Sequence, residues 1–329
     1  MLGRISFCVV LGGCGFSARA VGDDPPPPPP DDAREGVIEV DAPAMPAKDC
    51  WSQWLDGPLA LSTPRPLEHQ SDTSVTERDP WVSPDGLRLY YACDPNGAPQ
   101  SQVCLATRTK TEDPFGTGDP VTNVNVAGAA QGGASLTEDE LTLILTSDRP
   151  GGSQFDFYLS TRGDRTATFP SGDVRFLGAV NAPGTQHFDP SLTADGLKLY
   201  LAPIPPGGVQ HIFLSTRATP ADLFDAPRLV PVVNDATKAD ADPAVSRDER
   251  VIVFSSFRPT GVPATGATNL WYATRHDPTA DFGPPRPIPD VNSDKDDGDP
   301  RLADDGCTLY FSSNRDGTTR DLYRATVAP

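Results

Sequence analysis

From residue 80 onward the chain is built of short apolar runs with a period of two, such as "LRLYYA", "LTLILTS", "LKLYLA", "VIVFSS" and "TLYFSS". In each, paired positions alternate: Leu89/Tyr91, Leu143/Leu145, Leu199/Leu201, Ile252/Phe254 and Leu309/Phe311. That alternation predicts strands, with the paired residues on a packed face. No stretch sustains the 3.6-residue period of an amphipathic helix. Turn residues bound every run, so the strands are about 4–7 residues long.

The runs repeat. "DPWVSPDGLRLYYAC" from 79, "GASLTEDELTLILTS" from 133, "DPSLTADGLKLYLAP" from 189, "DPAVSRDERVIVFSS" from 242 and "DPRLADDGCTLYFSS" from 299 align at intervals of 54, 56, 53 and 57 residues. A second strand follows each: "VCLATR", "FYLSTR", "IFLSTR", "LWYATR" and "LYRATV". Then comes Pro-Arg with a short further strand in "FDAPRLVPVVN" and "FGPPRPIPDVN", with looser forms at 115–125 and 169–181. Four short strands per unit of about 55 residues is the pattern of a propeller blade. Another Pro-Arg copy, "LSTPRPLEHQS" (61–71), precedes the first full unit, and the last unit stops after its third strand. The N-terminal strand is therefore expected to complete the last blade and close the ring. The fold class is all-β: a five-bladed propeller of four-stranded antiparallel blades over residues 50–329, with six blades as the alternative.

Composition agrees. The 37 Pro and 29 Gly suit many turns, and only 2 Met are present. A net charge of −18, with 45 acidic against 27 basic residues, argues against nucleic-acid binding, which needs a basic surface. Such a chain favours a cationic or basic partner if it takes one. Arg4 followed by "ISFCVVLGGC" reads as an export signal over residues 1–13. "LGGC" (Leu11 to Cys14) resembles a bacterial lipobox, which would lipidate Cys14. An ordinary secretory signal and a misassigned start codon are the alternatives. Residues 14–49 contain "DDPPPPPPDD" and read as an anchored Cys followed by a stiff polyproline tether. By resemblance to lipoprotein sorting, Gly15 permits the outer membrane, facing periplasm or surface. The membrane would then be met only through lipid.

Four cysteines remain after Cys8 and Cys14. Cys93 ends the second strand of the first blade, and Cys104 lies in the third strand across a short hairpin loop. Cys307 follows the first turn of the last blade, and Cys50 precedes the strand expected to join that blade. The pairs Cys93–Cys104 and Cys50–Cys307 are expected in an oxidising compartment, the second stapling the closure.

"SPDGLRLYYA", "DPSLTADGLKLY" and "DDGCTLYFSSNRDGTTRDLY" resemble the WD-like repeats of TolB and related bacterial envelope propellers, over residues 61–329. The resemblance implies the fold and says little about function. The repeat departs from its own pattern at Gly133-Ala134, which replaces Asp-Pro, and at Glu140 and Glu249, which replace the turn glycine.

Two sets of aspartates recur. Asp85, Asp139, Asp195, Asp248 and Asp305 occupy the same turn in every unit, and their reading is structural. Asp79, Asp189, Asp242 and Asp299 begin the innermost strand of four blades, around one mouth of the channel. They read either as local backbone ligands or as an acidic rim that binds a cation or basic segment. Asp240, Asp294, Asp296 and Asp297 lie in the preceding loops. "DKDDGD" offers Asp294, Asp296 and Asp299 as a weak calcium candidate, with its Gly at position five and no closing Glu. No other metal or cofactor motif is present. Trp51 and Trp54 fall outside the repeat and are expected over the closure.

Motifs for catalysis are missing: no G-x-S-x-G, H-E-x-x-H or P-loop, and four scattered His. The expectation is a non-catalytic, envelope-anchored propeller binding an envelope protein, peptide or glycan on one face. The alternatives are a five-bladed glycosidase-like enzyme using channel carboxylates, and a structural spacer.

Overall fold

The computed structural model describes residues 49–329 apart from 71–74, 95–99, 153, 261–266, 318 and 329. Residues 1–13, Cys14 and the proline tether lie outside the described residues. The described chain belongs to one compact unit, Pro46–Pro329.

Five four-stranded antiparallel sheets follow one another in chain order. Blade 1 comprises Arg78–Val82, Arg88–Cys93, Gln102–Thr107 and Asp119–Pro120. Blade 2 comprises Gln131–Leu136, Thr142–Ser147, Asp156–Thr161 and Val174–Phe176. Blade 3 comprises Ser191–Leu192, Lys198–Leu201, Phe213–Thr216 and Arg228–Leu229. Blade 4 comprises Asp240–Val245, Val251–Ser256, Asn269–Thr274 and Arg286–Pro287. Blade 5 comprises Asp297–Leu302, Thr308–Ser313 and Asp321–Thr326, and takes Arg65–Pro66 as its outer strand. Inner strands touch from each blade to the next, and blade 5 meets blade 1. The ring has five blades; the six-bladed alternative does not occur.

Packing explains why the middle strands are apolar on both faces. Leu89 and Tyr91 pack with Tyr310 and Leu322 of blade 5, whereas Tyr90 packs with Leu136 and Leu143 of blade 2. Each blade is thus sandwiched between two others, and burial on both sides removes the polar face. A second repeated device holds the outer rim. Arg108, Arg162, Arg217 and Arg275 end the third strands, and each Nε donates to a turn carbonyl, of residues 86, 140, 196 and 249 respectively. The same guanidinium groups lie 4.1–4.6 Å over Phe115, Phe169, Phe224 and Phe282. In the sequence these are the Arg of each "TR" and the Phe that follows it.

The turn aspartates accept from local donors. The Asp85 carboxylate takes the Ser83 hydroxyl at 2.6 Å and the Leu87 N–H at 3.1 Å. Asp139 and Asp195 do the same with Thr137/Leu141 and Thr193/Leu197. Asp248 takes Ser246 and Arg250, and Asp305 takes the Cys307 N–H. The next residue is left-handed in all five blades: Gly86 (φ 69°), Glu140 (59°), Gly196 (71°), Glu249 (57°) and Gly306 (68°).

Ring closure is mixed covalent and non-covalent. Arg65 and Pro66 pair antiparallel with Arg324 and Tyr323. Cys50 is bonded to Cys307, and Cys93 to Cys104. One element has no forerunner in the sequence pattern: a helical turn, Trp51–Leu55. Its Trp54 is buried and donates Nε1–H to the Gly306 carbonyl at 2.8 Å, while Trp51 lies flat against Gly306, where a Cβ would meet the ring at 2.8 Å.

Candidate functional site

Asp79, Asp189, Asp242 and Asp299 stand at equivalent places at one end of the channel, with Gly133 as the fifth member. All five are left-handed, with φ of 56°, 51°, 49°, 51° and 53° in that order. In blades 1, 2, 4 and 5 the inner strand slips register across this residue, between Arg78/Trp81, Gly132/Ser135, Ala241/Ala244 and Gly298/Arg301. The position is therefore a bulge, which re-aims a side chain. Aspartate tolerates this backbone region better than most residues, yet a non-glycine there costs about 1–2 kcal/mol. Blade 2 uses glycine for a steric reason: a Cβ on Gly133 would sit 3.0 Å from Pro190 Cδ and 3.1 Å from the Asp189 nitrogen.

Two of the carboxylates link blades. Asp79 Oδ2 accepts from the Gly133 N–H at 2.9 Å, and Asp242 Oδ2 from the Asp299 N–H at 3.4 Å. Ser255 and Ser312 donate hydroxyls to Asp242 and Asp299. In blade 2 the matching hydroxyl, Thr146 Oγ1, faces a glycine and has no partner among the described residues. Asp189 shares side-chain hydrogen bonds with both Asp79 and Asp242. Burial, then the charge of Asp299, pushes Asp79 up to about 6. Burial, then the charge of Asp79, holds Asp189 well above the usual carboxylate range. Burial and Asp299 also raise Asp242. The carboxyls titrate as a coupled group that holds protons more tightly than ordinary carboxylates, because burial and mutual repulsion both disfavour the charged form.

Charge in the mouth is not all negative. Arg78 lies 3.7 Å from Asp79, and Arg320 lies 3.4 Å from Asp299. These groups line a cavity of about 260 Å³ with Gln131, Phe155 and Phe188. The two phenyl rings are 4.8 Å apart, centroid to centroid. Sequence reasoning missed Arg78, Arg320 and the Phe pair, because none of them recurs in the repeat. It also put too many acids at the rim. Asp240 and Asp297 are wholly buried and are neutralised by Arg258 and Arg315. The calcium reading of Asp294, Asp296 and Asp299 does not hold. Asp294 is exposed, Asp296 accepts from the Thr268 N–H, and Asp299 belongs to the channel. Among the described residues, three carboxylates whose oxygens all lie within 4.8 Å of one another are brought together at Asp79, Asp189 and Asp299.

The proton held in this cluster has a measurable consequence. The folded pKa of Asp79 lies above its unfolded value. Its stabilising contribution is therefore complete below the unfolded pKa and lost as pH rises through about 6. Asp79→Asn keeps an acceptor for Gly133 and removes that loss. The variant is expected to gain about 2 kcal/mol on wild type at pH 8 relative to pH 4. Urea unfolding at both pH values checks this; parallel pH profiles for the two proteins would refute it.

No family model matches the chain, and no curated protein does. Solved structures do. A glycoside hydrolase is 14% identical, with a TM-score of 0.58 over 83% of this chain and 93% of that one. The catalytic domain of an α-L-arabinofuranosidase from Coprinopsis cinerea is 12% identical, with a TM-score of 0.50 over 82% and 96%. TolB from Acinetobacter baumannii is 14% identical, with a TM-score of 0.41 over 77% of this chain and 54% of that one. In fold, the chain is a five-bladed β-propeller. The hydrolases correct one expectation. A non-catalytic protein was inferred from missing motifs, but similar structures include glycoside hydrolases. The physical reason is plain: glycosidic acid–base pairs come from separate strands and leave no local motif.

Proposed function

We propose that the acidic mouth of this TolB-like propeller binds a carbohydrate, with one sugar ring lodged against Phe155 and Phe188. The observation that carries the reading is the lining of one cavity by an aromatic pair, carboxyl groups, two guanidinium groups and an amide. Aromatic faces suit sugar C–H groups, and mixed donors and acceptors suit hydroxyls. A basic peptide fits less well. Arg78 and Arg320 offset the carboxylates, and Asp79 and Asp189 hold protons more tightly than ordinary carboxylates do. The two disulfides suit an exported protein, which agrees with the signal and lipid anchor read at Cys14.

Hydrolysis is the second reading, favoured by one observation. Asp189 keeps a proton while lying close to Asp79 and Asp299, so an acid and a partner carboxylate coexist in one site. Saturation-transfer NMR with a panel of mono- and oligosaccharides tests binding, and chromogenic aryl glycosides test turnover. Phe188→Ala and Asp189→Asn are each expected to weaken sugar binding about 10- to 100-fold. A panel with no binder, or variants that bind like wild type, would sink the proposal. Turnover by wild type that Asp189→Asn abolishes would establish the second reading.

A further inference from the structure

Below the aspartates the repeat loses its symmetry. The residue two places on is Trp81, Ser135, Ser191, Ala244 and Arg301 in the five blades. Residues repeated in every blade serve the blade, as the turn aspartates do. A residue present once serves something else. Here one guanidinium and one indole face three small side chains, in a neck continuous with the acidic mouth.

Arg301 is unlike the other inward arginines. Arg258 pairs with Asp240, Arg315 with Asp297, and Arg149 donates to the Val124 carbonyl. Among the described residues the guanidinium of Arg301 makes no hydrogen bond and no ion pair, and its Nε is buried without an acceptor. Asp304 acts on it only through its field, and burial pushes its pKa down to about 10. It remains charged at neutral pH. Its Cζ lies 5.3 Å from the Trp81 ring centroid, so the ring holds one face and the edges stay free. Trp81 is 2% exposed, and its Nε1–H also has no acceptor among the described residues. Both residues line a cavity of about 40 Å³ beneath the aspartates and one of about 30 Å³ on the far side. Leaving a buried guanidinium N–H and a buried indole N–H unserved is costly, which is why such groups normally find partners.

We propose that Arg301, stacked on Trp81 in the neck of the channel, is a recognition site for a carboxylate group. A carboxylate matches the planar two-donor fork of arginine and leaves an oxygen for a second donor, the indole. The space is that of a few ordered waters, which suits a small planar head. The site does not rest on the sugar reading: its two donors, Arg301 and Trp81, lie below the aspartates, which line the upper of the two cavities with them.

The test is a titration of the full chain, labelled with nitrogen-15, with sodium acetate at constant ionic strength. The Arg301 Nε–H and Trp81 Nε1–H resonances are expected to shift together and saturably. Acetamide, which lacks the charge, is expected to leave them unmoved. Arg301→Gln should weaken acetate binding at least tenfold, read at the indole, and Trp81→Phe should weaken it several-fold, read at Arg301. The titration is made without sugar, so its outcome stands whether or not any sugar binds, which separates this site from the sugar site. Shifts that never saturate, equal shifts with chloride or acetamide, or unchanged binding in both variants would overturn the proposal.

Discussion

Glu140→Gly is expected to destabilise the protein by about 2–3 kcal/mol, although glycine is the residue this turn uses in three of the five blades. Two effects compete. Glycine relieves the left-handed backbone at φ 59°, a gain of about 1 kcal/mol. Against it stands a buried ion pair. The Glu140 side chain is wholly buried, and Arg88 of blade 1 grips it through Nε and Nη2 at 2.5–3.0 Å. Arg162 lies 3.6 Å away on the other side. Removing one partner of such a pair costs about 3–5 kcal/mol, because a charge is left buried. Arg88 retains Asp85 at 2.7 Å, which brings the loss toward the lower end. Glu249 supplies the contrast. It makes the same link between blades 4 and 3, but to Lys198, whose side chain is 32% exposed, with Arg275 of its own blade also donating to it at 3.3 Å. A pair partly open to water contributes less than a buried one, so Glu249→Gly is expected to cost about 1 kcal/mol, less than Glu140→Gly. Urea unfolding of both variants decides the matter. Equal effects, or a stabilised Glu140→Gly, would show that backbone strain outweighs the buried pair.

These two glutamates also mark how far the sequence is legible. The repeat exposes them as exceptions at the glycine of the turn, but it cannot say what an exception is for. That answer needs the neighbouring blade, because Arg88 and Glu140 are 52 residues apart and meet only when blades pack. Local periodicity, by contrast, is enough to recover the strands, the blade number and the outer strand taken from the N-terminus. The two cysteine pairs were readable for the same reason, since each follows from the register of repeated strands. The site was half legible. The four aspartates announce themselves by recurrence, yet their left-handed backbone is invisible, because Asp-Pro looks the same in a turn, a strand or a bulge. Arg78, Phe155, Phe188 and Arg320 recur nowhere, so a reading built on repetition passes over them. Arg301 had a usable signal: aligning the five units leaves it as the one basic residue in its column.

Closing the ring by an outer strand from the far end of the chain leaves the fold with a seam, and the seam is where the second large effect is expected. Cys50 and Cys307 are 257 residues apart, so their bond removes far more freedom from the unfolded chain than Cys93–Cys104, which spans 11. On the chain-entropy argument Cys307→Ser should cost about 3–5 kcal/mol, and Cys104→Ser about 2–3 kcal/mol. The seam has other fastenings, in the Arg65–Arg324 and Pro66–Tyr323 pairs and the Trp54–Gly306 hydrogen bond. Their short length limits what they can hold alone, because a two-residue strand supplies few ladder bonds. Loss of the disulfide should therefore show first as local opening. Amide exchange is expected to quicken at residues 322–327 and 65–67 before any change in blades 2 and 3, and urea unfolding should give the ordering of the two variants. If Cys104→Ser proved the more damaging, or exchange rose evenly round the ring, the disulfide would not be the element that secures closure. The helical turn Trp51–Leu55 and the N-terminal strand would then carry that role by packing alone.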